Sequence, residues 1–249
     1  FALSEETNLS FIDALFESIS GLTTTGATVF TNLEDLPKSI LYYRQQLQWL
    51  GGIGIVVIAV SILPMIGVGG MQIYKAETPG PIKDTKLTPR IAETANALFK
   101  IYVFLTVVCA IAYWVAGMSW FDALSHSFST ISIGGFSTYD ESLGHFDNNA
   151  VLTIASIFMV VSGLNFALHY TAWHARSIKS YISDPEARLF VLVILFGILV
   201  TTYFLYTTAS MPNEDILFVG VFQLISILTT TGFTTVSYTH LRAHETCHN

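Results

Sequence analysis

Long segments without a charged residue are the feature that most restricts what this chain can fold into. A helix that crosses a bilayer needs about 20 consecutive, predominantly apolar residues. The chain has four charge-free segments of at least that length: Gln45–Tyr74, Ile101–Phe121, Asn148–Ala175 and Leu189–Asn213. Charged residues make up only 12% of the 249 residues, about half the share found in a typical water-soluble protein. The sequence therefore predicts an all-α polytopic membrane protein embedded in a lipid bilayer.

Basic residues indicate which loops face the cytoplasm, because cytoplasmic loops carry an excess of Lys and Arg. They cluster in two connections: Lys75, Lys83, Lys86 and Arg90, then Arg176, Lys179 and Arg188. We expect both connections inside, and the first residues of the chain outside. The outer loops are rich in Asp and Glu. Either basic residues are excluded from translocated loops, or the acids attract cations toward a pore.

A short apolar stretch followed by a glycine-bearing loop occurs three times. The spacing from stretch to glycine is the same in each copy: Asp13 to Gly26, Asp122 to Gly135 and Val219 to Gly232. Such stretches are too short to span a bilayer and are typical of re-entrant half-helices, and their repetition indicates units of one architecture. Non-helical backbone at membrane depth is tolerated only where it is buried in protein or lines water. We therefore expect the three loops to line one aqueous axis.

The loop composition suits a dehydrated cation. Inward-facing carbonyl oxygens replace the water of an ion without adding net charge, glycine permits the necessary backbone conformations, and threonine hydroxyls can bond nearby backbone. A single Thr-Gly loop would be an ordinary turn, whereas three aligned copies favour a filter. We expect the ion-coordinating residues in three triplets: Thr24, Thr25 and Gly26; Ile133, Gly134 and Gly135; Thr230, Thr231 and Gly232.

Motifs in five segments carry a family resemblance: Phe16–Thr28, Gln48–Ile55, Pro79–Arg90, His126–Phe136 and Thr229–Thr235. Together they resemble the Trk/Ktr/HKT superfamily of bacterial, fungal and plant potassium transporters, most closely its bacterial Trk membrane subunits. The likeness runs from about residue 11 to residue 235, nearly the whole chain.

The resemblance implies four membrane helix–pore loop–membrane helix units around one pore, of which this chain would contain about two and a half. It implies potassium uptake across the bacterial inner membrane, a homodimer, and a cytoplasmic nucleotide-binding regulatory subunit contacting residues 75–90 and 176–188. In the family a glycine in each loop favours potassium over sodium, and Gly26, Gly135 and Gly232 fit this pattern. Potassium is the only ligand implied; we expect no covalent cofactor, no catalytic site and no nucleic-acid partner.

The expected division of the chain follows these units. Residues 1–74 hold the half-helix, filter loop and closing helix of unit one, 75–90 a cytoplasmic loop, 91–178 unit two, 179–188 a second cytoplasmic loop, and 189–235 the opening helix, half-helix and loop of unit three. Residues 236–249 depart from the family pattern, and we expect an adapter- or assembly-derived tail. Its His240 and His244 have zinc-ligand spacing, which we attribute to accidental clustering.

Three other functions remain as alternatives. A sodium or mixed monovalent-cation transporter of the same fold is the nearest. A membrane enzyme would require His126, His169 or His174 to converge on a metal, and their spacing does not favour this. A non-conducting helical scaffold would leave the repeated loops unexplained.

Individual residues outside the loops have simpler interpretations. We expect His126 to be packed and hydrogen-bonded within the second half-helix. Arg44 is expected either to anchor the outer interface or to place a charge near the pore mouth. Gly51, Gly52 and Gly54 are expected to permit close helix packing.

Overall fold

The computed structural model describes residues 9–66, 87–208 and 214–235, and within these ranges it contains helices and turns but no β-strand. The predicted all-α fold class is confirmed. The connection 75–86, residues 1–8 and the tail 236–249, including His240 and His244, lie outside the described residues. The helices are α1 Phe11–Leu22, α2 Lys38–Ile66, α3 Leu87–Val115, α4 Trp120–Ile131, α5 Asn149–Gly163, α6 Phe166–Ala175, α7 Lys179–Ser183, α8 Pro185–Thr208 and α9 Glu214–Leu228.

Helices α1 and α4 are too short to span a bilayer, and both begin with the same type of N-cap. Each has 12 residues, about 18 Å of helix, which is less than the roughly 30 Å of a bilayer core. Ser10 and Ser119 cap their N-termini by accepting hydrogen bonds from Asp13 N and Asp122 N at 3.2 and 3.1 Å. Each serine also donates to the carboxylate of that aspartate, a reciprocal arrangement that stabilises the first turn.

The long helices have the length of membrane spans. Ala95–Val115 within α3 and Pro185–Thr207 within α8 are long and apolar enough to cross a bilayer, and α2 has 29 residues. Gly51 and Gly52 of α2 lie where a Cβ atom would collide with Leu22 O and with Tyr102 and Ser132. The predicted close packing is confirmed there, whereas no atom of the described residues lies within 4 Å of the Cβ position at Gly54.

The charge-free segment Asn148–Ala175 does not form one straight helix. Helix α5 ends at Gly163 and α6 begins at Phe166, with a bend of 91° between them. The break occurs because Asn165 is an N-cap: its side chain accepts from Ala167 N at 2.9 Å and starts a new helix. Hydropathy alone does not detect this signal, since Leu164 and Asn165 add no charge to the segment.

Half-helix α4 lies at the centre of the packing and contacts α2, α3 and α5. The apolar core around it includes Tyr102, Cys109 and Tyr113 of α3, Val151 and Met159 of α5, and Phe222 and Ile225 of α9. His126 on α4 is fully buried and bonds Asp122 O and Ser137 Oγ at 2.9 Å each. The prediction of a packed, hydrogen-bonded histidine is confirmed.

Candidate ion-binding site

The three glycine-bearing loops leave their half-helices in the same way. In each, one N–H bonds a carbonyl five residues earlier and the preceding N–H bonds a carbonyl three residues earlier, which is the Schellman pattern at a helix C-terminus. These bonds are Thr25 N to Ser20 O and Thr24 N to Gly21 O, Gly134 N to Ser129 O and Ile133 N to Thr130 O, and Thr231 N to Ser226 O and Thr230 N to Ile227 O, all 2.9–3.2 Å. The sequence repeat is therefore also a repeat of backbone structure.

The first residue of each triplet has a left-handed backbone although it is not glycine. Thr24, Ile133 and Thr230 have φ of 55°, 55° and 62°, a conformation that is rare for β-branched residues and costs energy. The closing glycines also have positive φ, between 78° and 84°. Strain of this kind persists where the surrounding structure holds it, and it concentrates at functional sites.

The loops lie directly against one another. A Cβ atom at Gly26 would overlap the carbonyl oxygen of Gly134, and a Cβ atom at Gly135 would overlap that of Thr231. Loop one therefore adjoins loop two, and loop two adjoins loop three. At Gly232 no atom of the described chain lies within 4 Å of the Cβ position, so that side of loop three is open.

All three glycines line one cavity of about 690 Å³. Its wall also contains backbone and side chains from the segments that follow the loops, among them Thr31, Asn32, Asp140 and Thr234. The side chain of Asp140 accepts from Leu33 N at 3.3 Å. The structure thus brings the three predicted glycines to one cavity, whose wall also contains polar residues and Asp140.

Hydroxyl groups support loops one and three in matching positions. Thr23 and Thr25 hydroxyls lie 2.8 Å apart, and those of Thr229 and Thr231 lie 2.9 Å apart. Ser20 Oγ donates to Ala27 O at 2.5 Å and Ser226 Oγ to Phe233 O at 2.7 Å. The expectation that threonine hydroxyls stabilise the loops extends to two serines, which sequence reasoning did not single out although they occupy the same position of the repeat.

A buried ion pair lies beside loops one and two. Arg44 Nε donates to Glu17 Oε1 at 2.8 Å, and both side chains are 0% exposed. Arg44 also donates to Thr28 Oγ1 at 2.9 Å and to Ser137 O at 3.2 Å. The expected role of Arg44 as an interface anchor is wrong, because the helix turns this side chain inward, where Glu17 compensates its charge.

Asp122 organises the N-terminal end of half-helix α4. Its carboxylate accepts from Thr138 Oγ1 at 2.9 Å and from Tyr139 Oη at 3.2 Å. Burial raises the pKa of Tyr139, and the charge of Asp122 and its hydrogen bond raise this pKa further. The phenol therefore stays a donor at neutral pH and holds residues 138–139 on α4.

The structure shows no convergence of the histidines proposed for an enzyme. His126 bonds Ser137, His169 bonds Tyr181 Oη and Val161 O, and His174 bonds Tyr170 O. Among the residues with described positions, no group of three His, Cys, Asp or Glu side chains is placed to hold a metal ion.

Comparison with known proteins identifies the family. The family model for TrkH, a cation transport protein, matches residues 1–247. The chain belongs to the TrkH family. The match extends into the segment 236–249, which the motif comparison separates from the family pattern. As a member of a cation transport family, the chain is a multi-pass membrane protein rather than an enzyme.

Relatives of the TrkH family resemble this chain closely over half their length. The Trk system potassium uptake protein TrkH of Halomonas elongata is 56% identical over 230 residues, 92% of this chain and 48% of the relative. The protein of the same name from Escherichia coli K12 is 53% identical over 242 residues, 95% of this chain and 49% of the relative. The crystal structure of the potassium transporter TrkH from Vibrio parahaemolyticus superposes with a TM-score of 0.82 at 48% identity, covering 93% of this chain and 47% of that chain.

Proposed function

We propose that this chain contributes three of the four filter loops of a potassium transporter, and that potassium crosses the membrane along the axis these loops surround. The observation that carries the proposal is the single cavity lined by Gly26, Gly135 and Gly232, each at the end of an equivalent loop. The names of the relatives, which are potassium uptake proteins, support potassium as the ion.

The predicted ligands are the backbone oxygens of the three triplets. Neutral carbonyls suit a transported ion because they replace its hydration without binding it too tightly to leave. Of the three middle residues, the oxygen of Gly134 already accepts a hydrogen bond from Gln48 Nε2 at 2.7 Å. A carbonyl oxygen has a second lone pair, so Gly134 O remains among the proposed ion ligands. The hydrogen bond from Gln48 fixes its position.

The open side of loop three supports a fourth loop. Gly26 adjoins loop two and Gly135 adjoins loop three, whereas the Cβ position at Gly232 has no neighbour in the described ranges. The chain spans about half the length of its relatives. We propose that a loop from the remaining half occupies this position and closes the ring between loops three and one.

Glycine at all three aligned positions favours potassium over the alternative of sodium or mixed transport. Family membership supports a location in the bacterial inner membrane. The basic connections at 75–90 and 176–188 support an orientation with the cavity outside. The homodimer and the regulatory subunit contacting those connections stay predictions.

Growth rescue tests the proposal. The chain would be completed with the remaining segments of the Vibrio parahaemolyticus relative and expressed in bacteria that lack their own potassium uptake systems. We expect growth at micromolar potassium and uptake of radioactive rubidium as a potassium substitute. A completed protein that inserts in the membrane but supports neither growth nor uptake would refute potassium transport, and sodium uptake by the same cells would favour the sodium alternative.

A further inference from the structure

Loop two is held differently from loops one and three. In loops one and three, a serine of the half-helix donates to the carbonyl that follows the glycine. Ser129 occupies the same position in α4 and is fully buried, yet its hydroxyl has no hydrogen-bond partner among the described residues. The internal support found in the other two loops is therefore missing in loop two.

Two side chains of α2 replace that support. Gln48 Nε2 donates to Gly134 O at 2.7 Å, and Gln48 Oε1 accepts from Phe136 N at 3.1 Å. One turn earlier on the helix, Arg44 donates to Ser137 O, and its guanidinium lies 4.3 Å from the centre of the Phe136 ring. Three backbone groups around Gly135 are thus bonded to a helix that belongs to the neighbouring unit.

Arg44 is itself fixed to loop one. Glu17, on half-helix α1, accepts from Arg44, from Thr28 Oγ1 and from Val29 N. The carboxylate therefore connects the half-helix of unit one, the segment after Gly26 and the arginine that reaches loop two. In α4 the equivalent of Glu17 is His126, which bonds Ser137, the equivalent of Thr28, and has no arginine partner among the described residues.

We infer that Glu17, Arg44 and Gln48 form a brace that sets the spacing between filter loops one and two and thereby determines the preference for potassium over sodium. This inference rests on the proposed function. These are positioning residues: none of them needs to touch the ion. Charged hydrogen bonds between buried groups are strong and directional, and burial of all three side chains excludes water that could substitute for them.

A simpler role for the pair would be charge compensation alone, since Arg44 borders the cavity and Glu17 neutralises it. The two roles predict different results for the double variant Glu17→Gln with Arg44→Gln. It leaves no unpaired buried charge, so charge compensation predicts normal selectivity. A glutamine is too short and lacks the five-donor fork needed to bond Glu17, Thr28 and Ser137 together, so the brace predicts a loss of selectivity.

The test uses the completed, full-length protein in uptake-deficient bacteria, with rubidium and sodium uptake normalised to the inserted protein. Three variants are compared with the parent: the double variant, Gln48→Met, and Gln46→Met as a matched control that makes the same change at a half-buried glutamine of the same helix. We expect the potassium-to-sodium preference to fall about tenfold in the first two and to be unchanged in the control. Arg44→Lys keeps the positive charge but lacks the guanidinium fork. Its potassium-to-sodium preference should therefore lie between those of the parent and the double variant.

The outcomes separate the brace from the proposed function. If the parent does not take up rubidium, the proposed function has failed. If the parent takes up rubidium but both brace variants keep its selectivity, the brace is wrong. Should the double variant not insert, Gln48→Met decides by the same criterion, because it leaves the ion pair intact.

Discussion

Replacing Gly135 by serine tests the packing of loop two against loop three. The residue has φ of 79° and its Cβ position overlaps the carbonyl oxygen of Thr231. The left-handed backbone costs a side-chain-bearing residue about 1–2 kcal/mol, and forcing an extra atom into a packed site typically adds about 1–3 kcal/mol. The overlap is with backbone, so it can be relieved only if one of the two loops moves.

A matched control variant distinguishes the effect of backbone strain from the effect of moving a filter loop. Gly117, in the turn between α3 and α4, also has positive φ, 107°, but nothing in the described chain lies within 4 Å of its Cβ position. Gly117→Ser should therefore share the backbone cost without moving a filter loop. We expect Gly135→Ser to weaken the preference for potassium over sodium by about tenfold, the equivalent of about 1.4 kcal/mol in ion binding, and Gly117→Ser to leave it unchanged.

The assay is competition of sodium against rubidium uptake by the completed protein, with membrane insertion measured in parallel. Equal selectivity in Gly135→Ser, Gly117→Ser and the parent would refute the reasoning, because the loop contact would then have no influence on the ion. An equal loss of selectivity in Gly135→Ser and Gly117→Ser would also refute the reasoning, since backbone strain alone would account for the effect.

Two further predictions concern loops two and three. Gly232→Ser should reduce potassium preference in the completed protein as strongly as Gly135→Ser, because the proposed fourth loop would fill the space that is open here; normal selectivity, measured by the same competition assay, would mean that no loop lies there. Ser226→Ala should lower the free energy of unfolding by about 1 kcal/mol, because the bond from its hydroxyl to Phe233 O is lost. Ser129→Ala should leave the free energy of unfolding nearly unchanged, because the Ser129 hydroxyl has no hydrogen-bond partner among the described residues. Thermal unfolding in detergent measures both serine variants, and an equal shift would contradict the difference in their bonding.

Much of the architecture could be predicted from residues that are close together in the sequence. Charge-free segments predicted the membrane helices, and the fixed spacing from Asp13 to Gly26 and from Asp122 to Gly135 predicted equivalent half-helices and loops. This worked because helix length, N-capping by serine and positive φ at glycine depend on residues close in the chain. The bend at Asn165 had a local signal as well, an N-cap residue within an apolar run.

Only the tertiary structure decided how the units meet. Arg44 and Ser137 are 93 residues apart, and Gln48 and Gly134 are 86 apart. No periodicity or spacing in the chain encodes such pairs. An arginine near the start of a span looks like an interface anchor until the packing of α2 against α1 and α4 turns it inward toward Glu17. The repeat determined the shape of each loop, whereas the contacts between repeats determined which loop adjoins which and which buried groups hold them, because those contacts depend on helices brought together by the whole fold.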